Sequence, residues 1–269
     1  GSVSKLSGNG FSIVEDVITG LPRAIANHAP NSLHFGPDDR LYITIGGNTG
    51  AGAPVNVTTE FGDRGEQPLS AALVVADVFA PSFDGSCANN ADIYGPTPCD
   101  VVTYSTGLRN AYDFAFHSNG SIYTADNGLG VTGAFPAQPF PDCSGFANPA
   151  PWNNGGQNPL EQPDLLLRLQ EGKFYGHPNP SIDECVFKDG SYQGVSPSLN
   201  YEAPMAIIGT HTSSNGIIEY KSSKTCGQLT GNLLITNYSL GDNIVRVVLD
   251  RTLKESGDLD EANHLPGVD

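Results

Sequence analysis

Positive charge is what this sequence has least of. In 269 residues, 13 Lys and Arg stand against 29 Asp and Glu, for a formal net charge of −16. That excludes the usual hold on nucleic acid, which needs clustered Lys and Arg on phosphates, and it disfavours an anionic membrane surface. No apolar run is long enough to span a bilayer, so no membrane insertion is expected. The five cysteines contain no C-x-x-C pair, which argues against a zinc ribbon or a thioredoxin-type redox centre. No stretch keeps an apolar period of three to four residues, so helices should be minor. There is no Gly-x-Ser-x-Gly elbow and no catalytic carboxylate pair by spacing. The glycines of Gly46 to Gly52 lack the phosphate-loop order and no helix follows them.

What the chain does have is turns. Its 32 Gly and 20 Pro are about a fifth of all residues, spread throughout, the texture of many short strands. Leu33 to Phe35 and Leu41 to Ile45 read as two strands around the tight turn Gly36-Pro37-Asp38-Asp39-Arg40. The figure returns as Phe114 to Phe116, a turn through Asn119-Gly120, and Ile122 to Thr124, with a weaker third copy from Gly231 through Thr236. Aligned, Phe35 matches Phe116, Asp38-Asp39 matches Asn119-Gly120, and Leu41-Tyr42 matches Ile122-Tyr123. A hairpin recurring at long, loop-filled intervals reads as propeller blades, with two hairpins of a sandwich as the alternative. Further strands are expected at Leu73 to Val75, Leu165 to Leu169, Gly216 to Tyr220 and Ile244 to Leu249, and long excursions at 48–67 and 136–163. No linker divides residues 1–269, which read as one all-β domain whose abrupt ends suggest further blades of a parent protein. Cys87 with Cys99 and Cys143 with Cys185 bracket loops as disulfide staples would, leaving Cys226 unpaired or bonded elsewhere; such staples, with the sequons at Asn56, Asn119 and Asn237, suit an extracellular or periplasmic, secreted protein.

Three ordered stretches carry a family resemblance. Asn27 to Asp38 followed by Leu41 to Gly46, Gly107-Leu108-Arg109-Asn110 ending in Ala125-Asp126-Asn127-Gly128, and Asp164-Leu165-Leu166 through Gly172 to Pro178 resemble the signatures of the glucose/sorbosone dehydrogenase family, the soluble pyrroloquinoline quinone (PQQ) sugar dehydrogenases. The resemblance spans about 150 residues and fades after Pro178. It implies a six-bladed propeller, of which this chain is part, with a calcium-bound quinone in a polar well that oxidises an aldose. It places His28 as the base on the sugar hydroxyl, a role imidazole suits because it titrates near neutrality. It also implies that Arg109 and Asn110 contact the cofactor, where a guanidinium would stabilise charge on a quinone oxygen. Asn127 stands where the family often has an amide, and the Gly128 and Leu129 carbonyls stand as the cofactor-calcium ligands. The third stretch implies a structural calcium held by Asp164, the Tyr175 carbonyl and Asp183 or Glu184, since hard cations take carboxylate and carbonyl oxygens alike.

The sequence also departs from the family. Gly47 occupies the place of an acidic residue that orients the histidine, and no basic residue stands near Ser239 to Asp242 to meet a cofactor carboxylate. Two other functions therefore stay open. One is a non-catalytic propeller of a larger cell-surface protein that binds a glycan or partner, and the other is a hydrolytic lactonase with calcium in the central channel.

Overall fold

The computed structural model describes residues 1–23, 28–53, 64–87, 99–129, 162–185 and 200–249. They form thirteen strands in four antiparallel sheets, with two short 3-10 turns at Asn9–Phe11 and Pro180–Ile182. A hairpin, β1 (Val3–Ser7) and β2 (Ile13–Ile18), comes first. A four-stranded meander follows: β3 (Pro30–Phe35), β4 (Leu41–Ile45), β5 (Ala72–Ala76) and β6 (Val101–Thr106). A second has β7 (Ala111–Phe116), β8 (Ile122–Asp126), β9 (Asp164–Leu169) and β10 (Ala206–Gly209). The last sheet holds β11 (Ser214–Glu219), β12 (Leu233–Asn237) and β13 (Ile244–Val247). Consecutive strands pair within each sheet, as in propeller blades.

The repeat expected from sequence is present at the level of single hydrogen bonds. The Gly36 N–H donates to the Arg40 carbonyl at 2.8 Å, and the His117 N–H donates to the Ser121 carbonyl at 2.9 Å. Asp39 and Gly120 take the same left-handed corner, with φ of 61° and 87°. Asp38 accepts from the Tyr42 hydroxyl at 3.0 Å, and Asn119 donates to the Tyr123 hydroxyl at 2.9 Å. The third copy keeps the strand pair, Glu219 opposite Leu233, but replaces the tight turn by residues 221–230.

Side-chain alternation explains how the sheets stack. Leu41, Ile43, Ile45, Ala72, Val74 and Val101 pack on one side of the first meander, toward Val17 and Ile18 of β2. Tyr42, Leu73 and Val75 point the other way, onto Ala111, Phe114, Ile122, Leu167 and Leu169 of the second meander. From its far face Tyr123, Ala125 and Leu166 meet Ile217, Leu233, Ile235 and Val245. Strands β4, β5 and β8 are thus buried along their whole length, which explains their unbroken runs of apolar and β-branched residues. Asp113 on β7 ties the first strands of three sheets together: its carboxylate accepts from the Ser32 hydroxyl at 2.7 Å and from the Ile217 N–H at 3.3 Å, with His34 Nε2 at 3.1 Å.

Cys87 and Cys99 are disulfide-bonded as expected, and Cys226 is an exposed free thiol. Cys185 is also disulfide-bonded, while Cys143, its expected partner, lies outside the described residues, as does most of the 136–163 excursion. No helix among the described residues is long and apolar enough to cross a membrane.

The stacking has a measurable consequence. Leu167 is fully buried between the two meanders, so Leu167→Ala should cost about 2–5 kcal/mol of unfolding free energy. Ile207→Ala, at a 56% exposed position of β10, should change it by no more than about 0.5 kcal/mol. Urea denaturation of both variants checks the contrast.

Candidate functional site at one rim of the sheets

Because the sheets bury both faces, polar chemistry collects where strands end. One rim contains the starts of β3, β5, β7, β9 and β11 and the ends of β4, β8 and β12, as the pairs Pro30 with Ile45, Ala111 with Asp126 and Ser214 with Asn237 show. His28, Arg109, Asn110, Asn127, Gly128 and Leu129 all lie at this rim.

His28, just before β3, is 2% exposed, and its Nδ1 lies 2.7 Å from the Gly47 carbonyl oxygen. A carbonyl can only accept, so Nδ1 carries the proton and the neutral ring keeps its lone pair on Nε2. Burial, then the Arg109 charge, hold the His28 pKa well below the usual imidazole value. The ring is therefore neutral near pH 7, in the state a base requires. Position 47 carries no side chain to hold the ring, and its backbone carbonyl does so instead.

Arg109 and Asn110 link the first meander to the second. The Arg109 guanidinium donates from Nε to the Gly50 carbonyl at 3.2 Å and from Nη1 to the Gly128 carbonyl at 3.0 Å. The backbone N–H groups of Arg109 and Asn110 grip the buried Asp126 carboxylate at 3.0 and 2.8 Å. Burial nonetheless pushes Asp126 up to about 6, against the pull of those two donors. Asn31 donates to the Asn110 side chain at 2.9 Å. Asn127 donates from Nδ2 to the Asn110 carbonyl at 3.1 Å, and its Oδ1 is buried without a partner in the protein.

Several of the expected calcium ligands are engaged within the protein. The Gly128 carbonyl accepts from Arg109, and the Leu129 carbonyl accepts from the Gln162 N–H at 3.0 Å. A dication on the Gly128 oxygen would sit against a guanidinium. Only glycine suits position 128, because a Cβ there would lie 2.0 Å from the Gln162 carbonyl oxygen. Asp164 accepts from the Gly128 N–H at 2.9 Å, the Thr212 hydroxyl at 2.7 Å and the Ser214 N–H at 3.1 Å, and so latches the second meander to the last sheet. The Tyr175 N–H donates to the Thr106 carbonyl at 2.9 Å and its hydroxyl bonds to Arg168 and Gln170, contacts that do not involve the carbonyl expected as a ligand. Asp183 is exposed in a left-handed corner, whereas Glu184 accepts from the Thr106 hydroxyl and is pushed up to about 7 by burial. Among the described residues, no three His, Cys, Asp or Glu side chains converge as a metal site would require. In this arrangement the Gly128 and Leu129 carbonyls and the Asp164 carboxylate are committed to donors within the protein.

Sequence reasoning missed one pair altogether. Glu66, fully buried before β5, lies 2.9 Å from Nε2 of His177, itself 3% exposed. His177 stands inside the third signature stretch, so its motif was visible, but nothing in the loop around Glu66 marks a partner 111 residues away. A cavity of about 470 Å³ lined by Tyr42, Tyr104, Phe116, Arg168 and Glu171 opens at the opposite rim, and none of the site residues named above lines it.

With this geometry the chain can be placed among known proteins. Its class is that of an all-β propeller. No protein-family profile matches the chain, and no curated protein sequence matches it. Among solved structures it is similar in fold to the PQQ-bound aldose sugar dehydrogenase of Streptomyces coelicolor, at a TM-score of 0.50 and 20% identity over 89% of this chain and 50% of that one. It is also similar to the apo soluble aldose sugar dehydrogenase of Escherichia coli, at 0.53 and 16% over 93% and 60%. A further glucose dehydrogenase gives 0.55 and 16% over 93% and 59%. The chain thus shares their fold across about half to three-fifths of their length.

Two predictions follow from the rim. A Cβ at Gly47 would lie 2.7 Å from His177 Nε2 and 3.1 Å from Glu66 Oε1. Gly47→Asp should therefore destabilise by about 1–3 kcal/mol through overpacking, with a second carboxylate beside Glu66, and thermal melts will show a lowered midpoint. The second concerns Glu184, whose folded pKa of about 7 lies above its ordinary 4.5. Across that window the folded chain keeps a proton that the unfolded chain releases, so its contribution to stability falls as pH rises. Glu184→Gln should flatten this decline, on the order of 1–3 kcal/mol, in urea titrations from acid to neutral pH.

Proposed function

We propose that this chain is the part of a quinone-dependent, sugar-oxidising propeller that carries the proton-accepting residue. The observation that carries this reading is the buried His28, fixed as the Nδ1–H tautomer by the Gly47 carbonyl beside the guanidinium of Arg109. Two of the similar folds are titled aldose sugar dehydrogenases, one of them PQQ-bound, which supports the substrate class and the cofactor. The rim suits a planar polyanionic quinone in one respect: Arg109 is permanently cationic. When bound, such a quinone supplies a two-electron hydride acceptor.

The chain's own residues do the rest. His28 Nε2 offers its lone pair to a hydroxyl proton while Nδ1 stays fixed on Gly47. Arg109 supplies positive charge where negative charge would develop. Asp126 holds the Arg109–Asn110 backbone in place through two N–H donors. No step runs through calcium. The Cys87–Cys99 disulfide supports an oxidising, extracellular or periplasmic setting. Exposed apolar residues on the outer sheets (Leu6, Ile13 and Val14 on one, Ile218 and Ile244 on the other) support flanking blades in the parent protein.

Titration with PQQ, followed by absorbance, should show saturable binding that Arg109→Ala weakens. Dye-linked glucose oxidation should fall by about a hundredfold or more in His28→Ala. Absence of PQQ binding by the folded chain would sink the oxidation reading and leave a glycan- or partner-binding propeller.

A further inference from the structure

The cavity at the opposite rim has no part in that reading. It lies between the two meanders, bounded by the β3–β4 turn and Tyr104 of β6 on one side. The β7–β8 turn and the end of β9 bound the other side. Its volume of about 470 Å³ is that of a small-ligand pocket. The lining divides into an aromatic corner and a polar edge.

The corner is built on Tyr42, which is 4% exposed. The rings of Phe116 and Tyr104 stand 5.1 and 5.5 Å from it, at 82° and 72°, so the three meet as walls instead of stacking. Their turn is braced: the Tyr42 hydroxyl donates to Asp38 at 3.0 Å and accepts from Arg40 Nη2 at 3.2 Å. Arg40 Nε also donates to Asp38 at 2.6 Å, so the Asp38 charge is compensated within the turn. Burial, then the Glu171 charge, raise the Tyr104 pKa, which keeps its hydroxyl a donor.

The polar edge is Arg168, Gln170, Glu171 and Ser121. Its backbone is held by the buried Tyr175, whose hydroxyl donates to the Arg168 carbonyl and accepts from the Gln170 N–H. The charged ends are not held. Arg40 and Lys173 are paired with Asp38 and Glu202, but among the described residues the Arg168 guanidinium and the Glu171 carboxylate have no hydrogen bond or ion pair. They line one cavity without meeting each other.

These groups select by charge. A cation in the cavity would meet Arg168, and an anion would meet Glu171 and a chain of net charge −16. A neutral ligand edged with hydroxyls satisfies both, accepting from the guanidinium and donating to the carboxylate. A C–H face would complete the fit, because aromatic faces carry partial negative charge. A pyranose ring has that edge and that face.

We propose that this cavity is a second, non-catalytic carbohydrate site, holding a neutral pyranose in the Tyr42–Tyr104–Phe116 corner with its hydroxyls on Arg168 and Glu171. It uses no quinone and lies at the far rim from His28, so it goes beyond the oxidation reading and does not depend on it.

NMR titration of the folded, quinone-free chain with glucose tests the site. The Arg168 Nε–H and the Tyr104 and Phe116 ring signals should shift together and saturate by about 100 mM, as a millimolar Kd requires. Arg168→Ala and Glu171→Ala, at half-buried and exposed positions, should each weaken binding roughly tenfold through loss of a charged hydrogen bond. Protonated glucosamine and glucuronate, the same ring with a charge of either sign, should bind several-fold more weakly. Tighter binding of glucuronate than of glucose would mark an anion site and overturn the assignment. So would parent Arg168, Tyr104 and Phe116 signals that glucose leaves unmoved, or an affinity that neither substitution changes. The parent's own signals decide the matter without any variant.

Discussion

Face-to-face stacking of antiparallel sheets governs everything else in this molecule. A meander covered on both faces has no solvent side on which to place polar residues, so β4, β5 and β8 are mostly apolar or β-branched and carry their one charge, Asp126, at the end of β8. Charge and hydrogen-bonding groups are displaced to the strand ends. There they must satisfy one another, because a buried polar group left alone costs more than a hydrogen bond returns. The same constraint that builds the core therefore builds the rim. Asp126 serves the backbone between β6 and β7, and Asp164 serves the loops that precede β9 and β11.

Gly47 shows how one small residue redistributes a site. An acid at this position would orient an imidazole directly. A glycine leaves only a carbonyl, which accepts the His28 Nδ1 proton equally well, and it leaves space that Glu66 and His177 occupy. The carboxylate is not lost from the neighbourhood but arrives from another loop with an imidazole in front of it. Placing an acid at 47 would press on the Glu66–His177 pair, so the two arrangements compete for the same space.

The parts of the fold that could be read in the sequence are those whose side chains record their surroundings. Leu41 to Ile45 and Leu165 to Leu169 are strands in a core, and the Asp38–Tyr42 and Asn119–Tyr123 pairs mark the same turn twice. Strands β1, β2, β6 and β10 escaped notice because they are largely exposed or mixed and carry no period that distinguishes them from loops. His28, Arg109, Asn110 and Asn127 do gather at one rim, as the motif resemblance implies. The calcium ligands could not be judged from motif positions. Whether a carbonyl such as that of Gly128 is available depends on what else reaches it, and here Arg109 does. Glu66 was invisible for the same reason, since its meaning lies in a contact across 111 residues.

Charge accounting at the rim bears on how an acidic protein would meet the anionic quinone proposed for it. A net charge of −16 would repel a polycarboxylate if the negative groups faced it unscreened. At the rim they do not. The Asp164 carboxylate is absorbed by two backbone N–H groups and a hydroxyl, Glu66 by two N–H groups, two hydroxyls and an imidazole, and Asp126 by two backbone N–H groups. Each acid spends its charge locally on donors that the backbone already had to satisfy. The guanidinium of Arg109 is oriented by the carbonyls of Gly50 and Gly128. Short-range pairing of this kind counts for more at the strand ends than the protein's overall acidity, because distant exposed charges are screened within a Debye length.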